Sequence, residues 1–246
     1  MFHGDQLVVC DSANNIVQIL NQDYTCDKVL GSFDGQFAKP FQPEDVAVSH
    51  DNIYFINDKG NCQIVVCKQD NTIIRIITLP AGTDAYGIAL LKGFVLVTEV
   101  KGHRLLKYTH DGHYVAEVGG QGRGQTQFNG PYSVVVNSNN VIKVCDRWNH
   151  CIKCFDHELK YLYQFGELGS GAGKLRYPCS IDIDDDDNVY VCEWKYRGGI
   201  VKWRCDGEWI CQLFQDDLRD PTYLAVSGDR IAVTELDSNQ IKVFYK

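Results

Sequence analysis

Apolar residues along this chain come in short runs bounded by Gly, Asn, Asp or Pro, and the runs arrive in fours. Between positions 119 and 166 they are Ser133 to Val136, Val141 to Cys145, Cys151 to Phe155 and Tyr161 to Phe165. Such runs, separated by turn residues, mark antiparallel strands, so this stretch predicts one four-stranded sheet. The unit recurs. An acidic residue ends the second run each time, at Asp11, Asp58, Glu99, Asp146, Glu193 and Glu235, with separations of 47, 41, 47, 47 and 42 positions. Pro43, Pro131 and Pro178 precede their acidic residue by 15 positions, and Pro221 precedes Glu235 by 14; the third repeat has no such proline. A period this long, filled with four strands, predicts the blades of a β-propeller rather than the turns of a solenoid.

The predicted fold class is therefore all-β, a six-bladed β-propeller of four-stranded antiparallel blades forming a single domain over residues 1–246. The blades fall at approximately 1–31, 32–77, 78–119, 120–166, 167–214 and 215–246. The first and last blades are expected to be incomplete. The proline of the first would fall before Met1, which leaves Phe2 and His3 for its inner strand, and Lys246 follows closely on the third run of the last, Ile241 to Phe244.

Gly119 to Pro131 reads Gly-x-x-Gly-x-Gly-Gln-x-x-Phe-Asn-x-Pro, and from Val144 the chain continues ValCysAspArgTrpAsnHisCysIleLysCysPhe. These motifs resemble the NHL repeat, and Gly166 to Pro178 resembles it again. The similarity is nearest to the NHL domains at the C-terminal end of TRIM-type proteins. It implies a non-catalytic recognition module, the RNA- or protein-substrate-binding propeller of a RING-type E3 ubiquitin ligase or of a post-transcriptional regulator. RING and B-box parts would lie upstream, so any ubiquitin transfer would belong there and the chain is expected to be a fragment of a longer protein. A WD40 blade fits worse, because Trp148 is followed by Asn149 and sits in a turn. A kelch blade would need its Gly-Gly pair at one phase, whereas Gly119 with Gly120 and Gly198 with Gly199 differ.

Composition narrows the context. The longest apolar stretch, around Ile88 to Val97, is broken by Lys92 and falls short of the roughly 20 residues a membrane span needs. No basic-then-apolar pattern opens the chain, so no signal peptide is read. The eleven cysteines are odd in number and scattered, which favours a reducing, cytoplasmic setting over a disulfide framework. Cys10, Cys145 and Cys192 share one phase and are expected to be small packing residues. Cys151 and Cys154, at an odd spacing on a strand, point to opposite faces and make no metal knuckle. No cofactor is implied: Leu175 stands where a phosphate loop needs Ser or Thr, and Asp187 replaces the glycine that a calcium loop over Asp184 to Asp187 would require. That acidic run is expected to be a solvated turn.

An alternative is a propeller enzyme of lyase or lactonase type with a metal in its central channel. Only Glu44 and Asp45 on an inner strand motivate it, and the seven histidines do not converge. Charge is more informative. Over blades three to five the loops after the second and fourth strands carry eight basic against four acidic residues, whereas the opposite loops carry three basic against ten acidic. The basic face offers Lys101, Arg104, Arg123, Arg147, Lys174 and Arg176, followed by Lys195 and Arg197. Aromatic residues are interleaved there, Phe128, Tyr132, Trp148, Tyr177, Trp194 and Tyr196, with Tyr132, Trp148 and Tyr196 placed to contact a ligand. Cations for phosphates and rings for base stacking are what single-stranded RNA requires. The expected partners are single-stranded or stem-loop RNA, or protein substrates, on this face; neither DNA nor a membrane is expected. The acidic landmarks are read as structural, each accepting backbone N–H groups at a strand end.

Overall fold

The computed structural model describes residues 1–31, 33, 35–194, 198–214 and 217–246. The chain forms two compact units, Met1–Glu117 and Val118–Lys246. The first contains two sheets and all of a third except the last two residues of its final strand. Strands β1 (Phe2–His3), β2 (Gln6–Asp11), β3 (Ile16–Leu20) and β4 (Cys26–Leu30) make one; β5 (Pro43–Val48), β6 (Tyr54–Asp58), β7 (Gln63–Cys67) and β8 (Ile73–Thr78) the next; β9 (Ala85–Leu91), β10 (Phe94–Glu99), β11 (Arg104–Thr109) and β12 (Tyr114–Gly119) the third. In the second unit β13 (Pro131–Val136), β14 (Ile142–Asp146), β15 (Cys151–Phe155) and β16 (Tyr161–Phe165) are followed by β17 (Pro178–Ile183), β18 (Val189–Glu193), β19 (Ile200–Trp203) and β20 (Trp209–Leu213). The last sheet is β21 (Pro221–Ser227), β22 (Arg230–Glu235) and β23 (Gln240–Tyr245).

Every sheet is antiparallel with neighbouring strands paired in chain order, the blade plan of a six-bladed β-propeller. The terminal blades match the expectation in detail. The first keeps four strands but its inner one is only Phe2–His3, and the last has three strands among the described residues.

The second and third strands of a blade read as continuous apolar runs because both of their faces are covered. Along β6, Tyr54 and Ile56 pack into the cluster holding Val8, Val17 and Ile19 of the first blade, while Phe55 between them packs against Ile88 and Val97 of the third. In the second unit Cys145, Ile152, Cys154 and Phe165 meet Ile181, Val191 and Trp203 of the next blade, and Tyr190, Cys192 and Ile200 meet Leu224, Val226 and Val233 of the one after. Cys145 and Cys192 are buried at equivalent places, whereas Cys10 is only half-buried, and all eleven thiols are free.

Polar bonds set how neighbouring blades register. The inner-strand residues Asp45, Ser133 and Ser180 occupy the position two after the blade's proline, and each accepts an N–H from the next inner strand: Ile88 N to Asp45 Oδ2 at 3.0 Å, Ile181 N to Ser133 Oγ at 3.4 Å and Leu224 N to Ser180 Oγ at 3.1 Å. Asp45 is thus engaged as a structural acceptor, with Val46 N donating to its other oxygen at 2.9 Å. Its neighbour Glu44 lies 3.9 Å from Lys59.

The acidic landmarks act over a longer span than the sequence suggested. Asp11 and Glu99 do accept from the following turn, through Asn14 N and Gly102 N. Asp58, Asp146, Glu193 and Glu235 instead accept the amide of Gln42, Asn129, Arg176 and Arg219, 16 or 17 positions upstream, at 3.0, 2.7, 2.6 and 2.6 Å. Each ties the end of a second strand to the segment leading into the first. At Asp146 the knot also holds a cation: Lys153 Nζ lies 3.0 Å from Oδ2, with both side chains buried, and it donates onward to Gly124 O at 2.8 Å and to Gln127 O.

Removing one member of a buried ion pair leaves the other charged and desolvated. Asp146→Ala should therefore lower the unfolding free energy by about 3–5 kcal/mol, and adding Lys153→Met should restore part of that loss. Urea denaturation of the two variants checks it; a single-variant loss under about 1 kcal/mol, or strict additivity, would contradict the assignment.

Candidate ligand-binding face

Pairing of Pro131 with Asp146, Pro178 with Glu193 and Pro221 with Glu235 brings the segments entering β13, β17 and β21 beside the turns that leave β14, β18 and β22. In the second unit this edge is built from two closed loops and a 3₁₀ turn. The loop from Gly119 to Pro131 is pinned by the buried Phe128, whose N–H donates to Gly120 O at 2.9 Å and whose carbonyl accepts from Gly122 N at 3.0 Å. The loop from Gly166 to Pro178 is pinned likewise by Leu175 N on Glu167 O at 2.8 Å. Gly130, at φ +70, is obligatory for a second reason: a Cβ there would stand 2.6 Å from Trp148 Cδ1.

The turn Arg147–Asn149 follows Asp146 directly. Arg147 was expected to project toward a ligand, and the structure corrects this: it is 9% exposed, framed by the rings of Trp194, Tyr132 and Trp148 at 4.1, 4.6 and 5.3 Å from Cζ. The aromatic frame offers the guanidinium a cation–π surface in place of water, and its Nε is buried with no hydrogen-bond partner among the described residues. Trp148 is 43% exposed and presents an indole to solvent. Its ring meets Tyr177 edge-on at 5.4 Å, and Tyr177 in turn meets His150 at 4.5 Å. Tyr132 also approaches Tyr223, with centroids 6.3 Å apart.

The remaining expected contact residues separate into distinct groups. Arg123 and Arg176 are exposed, and neither makes an ion pair among the described residues; Arg176 Nε donates to Gly169 O at 2.9 Å. Lys174 is ion-paired with Glu167. Lys195, Tyr196 and Arg197 lie outside the described residues. Lys101 and Arg104 belong to the first unit: Lys101 is exposed in a turn, and Arg104 is held by Glu99 and Glu117, each at 2.9 Å. Lys59, the counterpart of Arg147 in the second blade, lies 3.5 Å over Tyr86 and 3.2 Å from Asp84.

Two groups were missed by the sequence reading. Arg219 is exposed and sits two positions before Pro221, the phase of Arg176 before Pro178, so the repeat alignment carried that signal into a blade left out of the charge tally. His150 owes its part to three-dimensional contact and had no such signal, whereas Tyr177 was already among the interleaved aromatics. On the opposite loops Asp184 accepts from Asn188 N at 2.9 Å and Tyr190 OH at 3.0 Å and lies 3.4 Å from Lys202, the bonding of a capped turn. Among the described residues no three His, Cys, Asp or Glu side chains are grouped to hold a metal, and no helix is long and apolar enough to cross a membrane.

Residues 128–155, the span that holds the pinned loop's anchor, the buried ion pair and the Arg147 turn, match the family model of the NHL repeat. The chain carries an NHL repeat and is a β-propeller resembling the NHL domains of TRIM-type proteins. Among curated proteins it is 29% identical over 133 residues to Protein brain tumor of Drosophila melanogaster, covering 53% of this chain and 13% of that protein. It is 23% identical over 216 residues to NHL repeat-containing protein 3 of Homo sapiens, covering 79% of this chain and 62% of that one, so the matches span less than two thirds of either relative. Among solved structures it superposes on virginiamycin B lyase from Staphylococcus aureus with a TM-score of 0.68 at 16% identity, over 100% of this chain and 83% of that one. A streptogramin B lyase gives 0.70 at 17%, over 98% and 79%. At such identity the likeness is one of fold.

Glu193 differs from the other landmarks. Asp146 and Glu235 have a lysine seven positions on, at 3.0 and 2.9 Å, whereas the same position after Glu193 is the apolar Ile200. Burial raises its pKa to about 7, against the Arg176 amide and charge, which lower it. The folded state then binds the proton more tightly than the unfolded chain, whose glutamate titrates near 4.3. The stability this group contributes is present in acid and lost as pH rises from about 4 through about 7. Glu193→Gln keeps an acceptor for Arg176 N and should stabilise the fold by about 1–2 kcal/mol at pH 8 while leaving it nearly unchanged at pH 4.5. Urea midpoints at the two pH values check this, and a variant less stable at pH 8 would contradict it.

Proposed function

We propose that this chain is a non-catalytic recognition module whose loop face in the second unit binds single-stranded RNA. The observation that carries the reading is the exposed Trp148 indole on the same loop edge of the blades as Arg123, Arg176 and Arg219, exposed arginines with no ion pair among the described residues. An unpaired base stacks on an aromatic face without regard to sequence, and neighbouring guanidinium groups take the phosphates. Arg147 supports the platform from beneath, as a cation framed by three rings, and gives the face a positive potential without itself reaching a phosphate. The likeness to TRIM-type NHL domains supports a recognition role, and the repeat-equivalent placing of Arg176 and Arg219 suits an extended polymer. Protein is the competing ligand. Ubiquitin transfer, if the full protein performs it, would reside outside this chain, and the free thiols support a cytoplasmic setting.

Fluorescence polarisation with a randomised single-stranded RNA decamer tests the reading. Trp148→Ala should weaken binding by about 1–3 kcal/mol. Arg176→Glu with Arg219→Glu should weaken it further and make the fall of log K with log salt shallower by about 1.4, from two lost phosphate contacts. Asp185→Lys with Asp186→Lys, on the opposite loops, should leave binding nearly unchanged. Absence of binding at low salt, or loss of binding only in the Asp185 and Asp186 variant, would overturn the proposal.

A further inference from the structure

Beneath the Trp148 platform lies a contact that a packing role alone does not explain. The backbone N–H of Tyr177 donates to His150 Nδ1 at 3.1 Å, which requires that nitrogen to be unprotonated. Both residues are left-handed, Tyr177 at φ +48 and His150 at φ +59. Such a backbone is disfavoured for a bulky side chain and persists only where its surroundings hold it. Tyr177 is held by this bond and by Trp194 N on its carbonyl at 3.2 Å, and its ring is fixed between His150 and Trp148. The Tyr177 ring that abuts the exposed indole is therefore held in part by one imidazole lone pair.

We propose that His150 is a proton-operated latch: unprotonated at Nδ1 it holds Tyr177 against Trp148, and protonated there it releases both, so that base stacking on Trp148 and proton uptake at His150 oppose each other. Burial and the nearby Arg123 hold His150 below the usual imidazole range, while Asp146 acts in the opposite sense. By linkage, a ligand that stacks on the held platform must lower the proton affinity of His150, because the proton weakens that ligand. The proposal rests on the RNA-binding reading for its ligand but not for the latch itself, which is a property of the unliganded protein.

Nitrogen-15 NMR of the His150 ring and of the Trp148 indole N–H, followed from pH 5 to pH 8, tests it. In wild type the Trp148 signal should move with the His150 midpoint; in His150→Gln, which keeps an acceptor but cannot titrate, it should stay fixed while the rest of the spectrum is retained. The randomised RNA decamer should lower the His150 midpoint and bind at least about threefold weaker at pH 5.5 than at pH 7.5, a ratio that should fall toward one in His150→Gln. A proton on Nδ1 at pH 7.5, or a Trp148 signal indifferent to His150, overturns the latch. RNA binding with the same pH dependence in both proteins overturns the coupling. Absence of RNA binding with the latch titration intact would defeat the functional reading alone.

Discussion

One hydrogen bond organises most of the blades: the acidic side chain ending the second strand accepts an amide from the segment entering the first. In four of the six blades that amide lies 16 or 17 positions upstream, at 2.6 to 3.0 Å. A carboxylate bonded to backbone N–H forms a stronger bond than a neutral acceptor would, and it is reached only when the first two strands are already paired in register. The connecting loop is thereby fixed at both ends. The residues of the proposed binding face hang from that bond, since Arg147 and Trp194 are the next residues along the chain and Arg176 and Arg219 are the donors themselves.

The repeats then diverge around a shared frame. Asp146 and Glu235 bring a lysine to the knot, Glu99 an arginine, and Asp58 the amides of Asn61 and Gln63. Among the described residues Glu193 has none of these, and burial raises its pKa to about 7. The residue after the acid varies with it. Lys59 is neutralised by Asp84 and Glu44, whereas Arg147 is enclosed by rings with no carboxylate as an ion-pair partner among the described residues. A positive, aromatic surface thus belongs to the second unit through particular substitutions on a common plan.

The fold was legible because the signals that specify it are local and repeated. Strand runs, turn residues and the acidic landmark recur at one phase, so an error in one blade is corrected by the next. The site was less legible because it depends on contacts between residues far apart in sequence. Arg147 looks like a surface cation in its turn, and only the approach of Trp194, 47 positions on, encloses it. Arg104 reads as available charge until Glu117 is brought across the β11–β12 pair. His150 is an ordinary turn histidine in sequence and becomes an acceptor only through Tyr177. Arg219 was open to recognition from phase alone, since it repeats the place of Arg176.

The claim that the second unit's loop face is the ligand-binding surface is tested most directly by ultraviolet crosslinking of the protein to single-stranded RNA at low salt, with the crosslinked peptides mapped by mass spectrometry. The account predicts adducts on the peptides containing Trp148 and Tyr177, and few on the turns at 156–160, 184–187 and 204–208. Adducts concentrated on those acidic turns, or a pattern unchanged by Trp148→Ala, would contradict it.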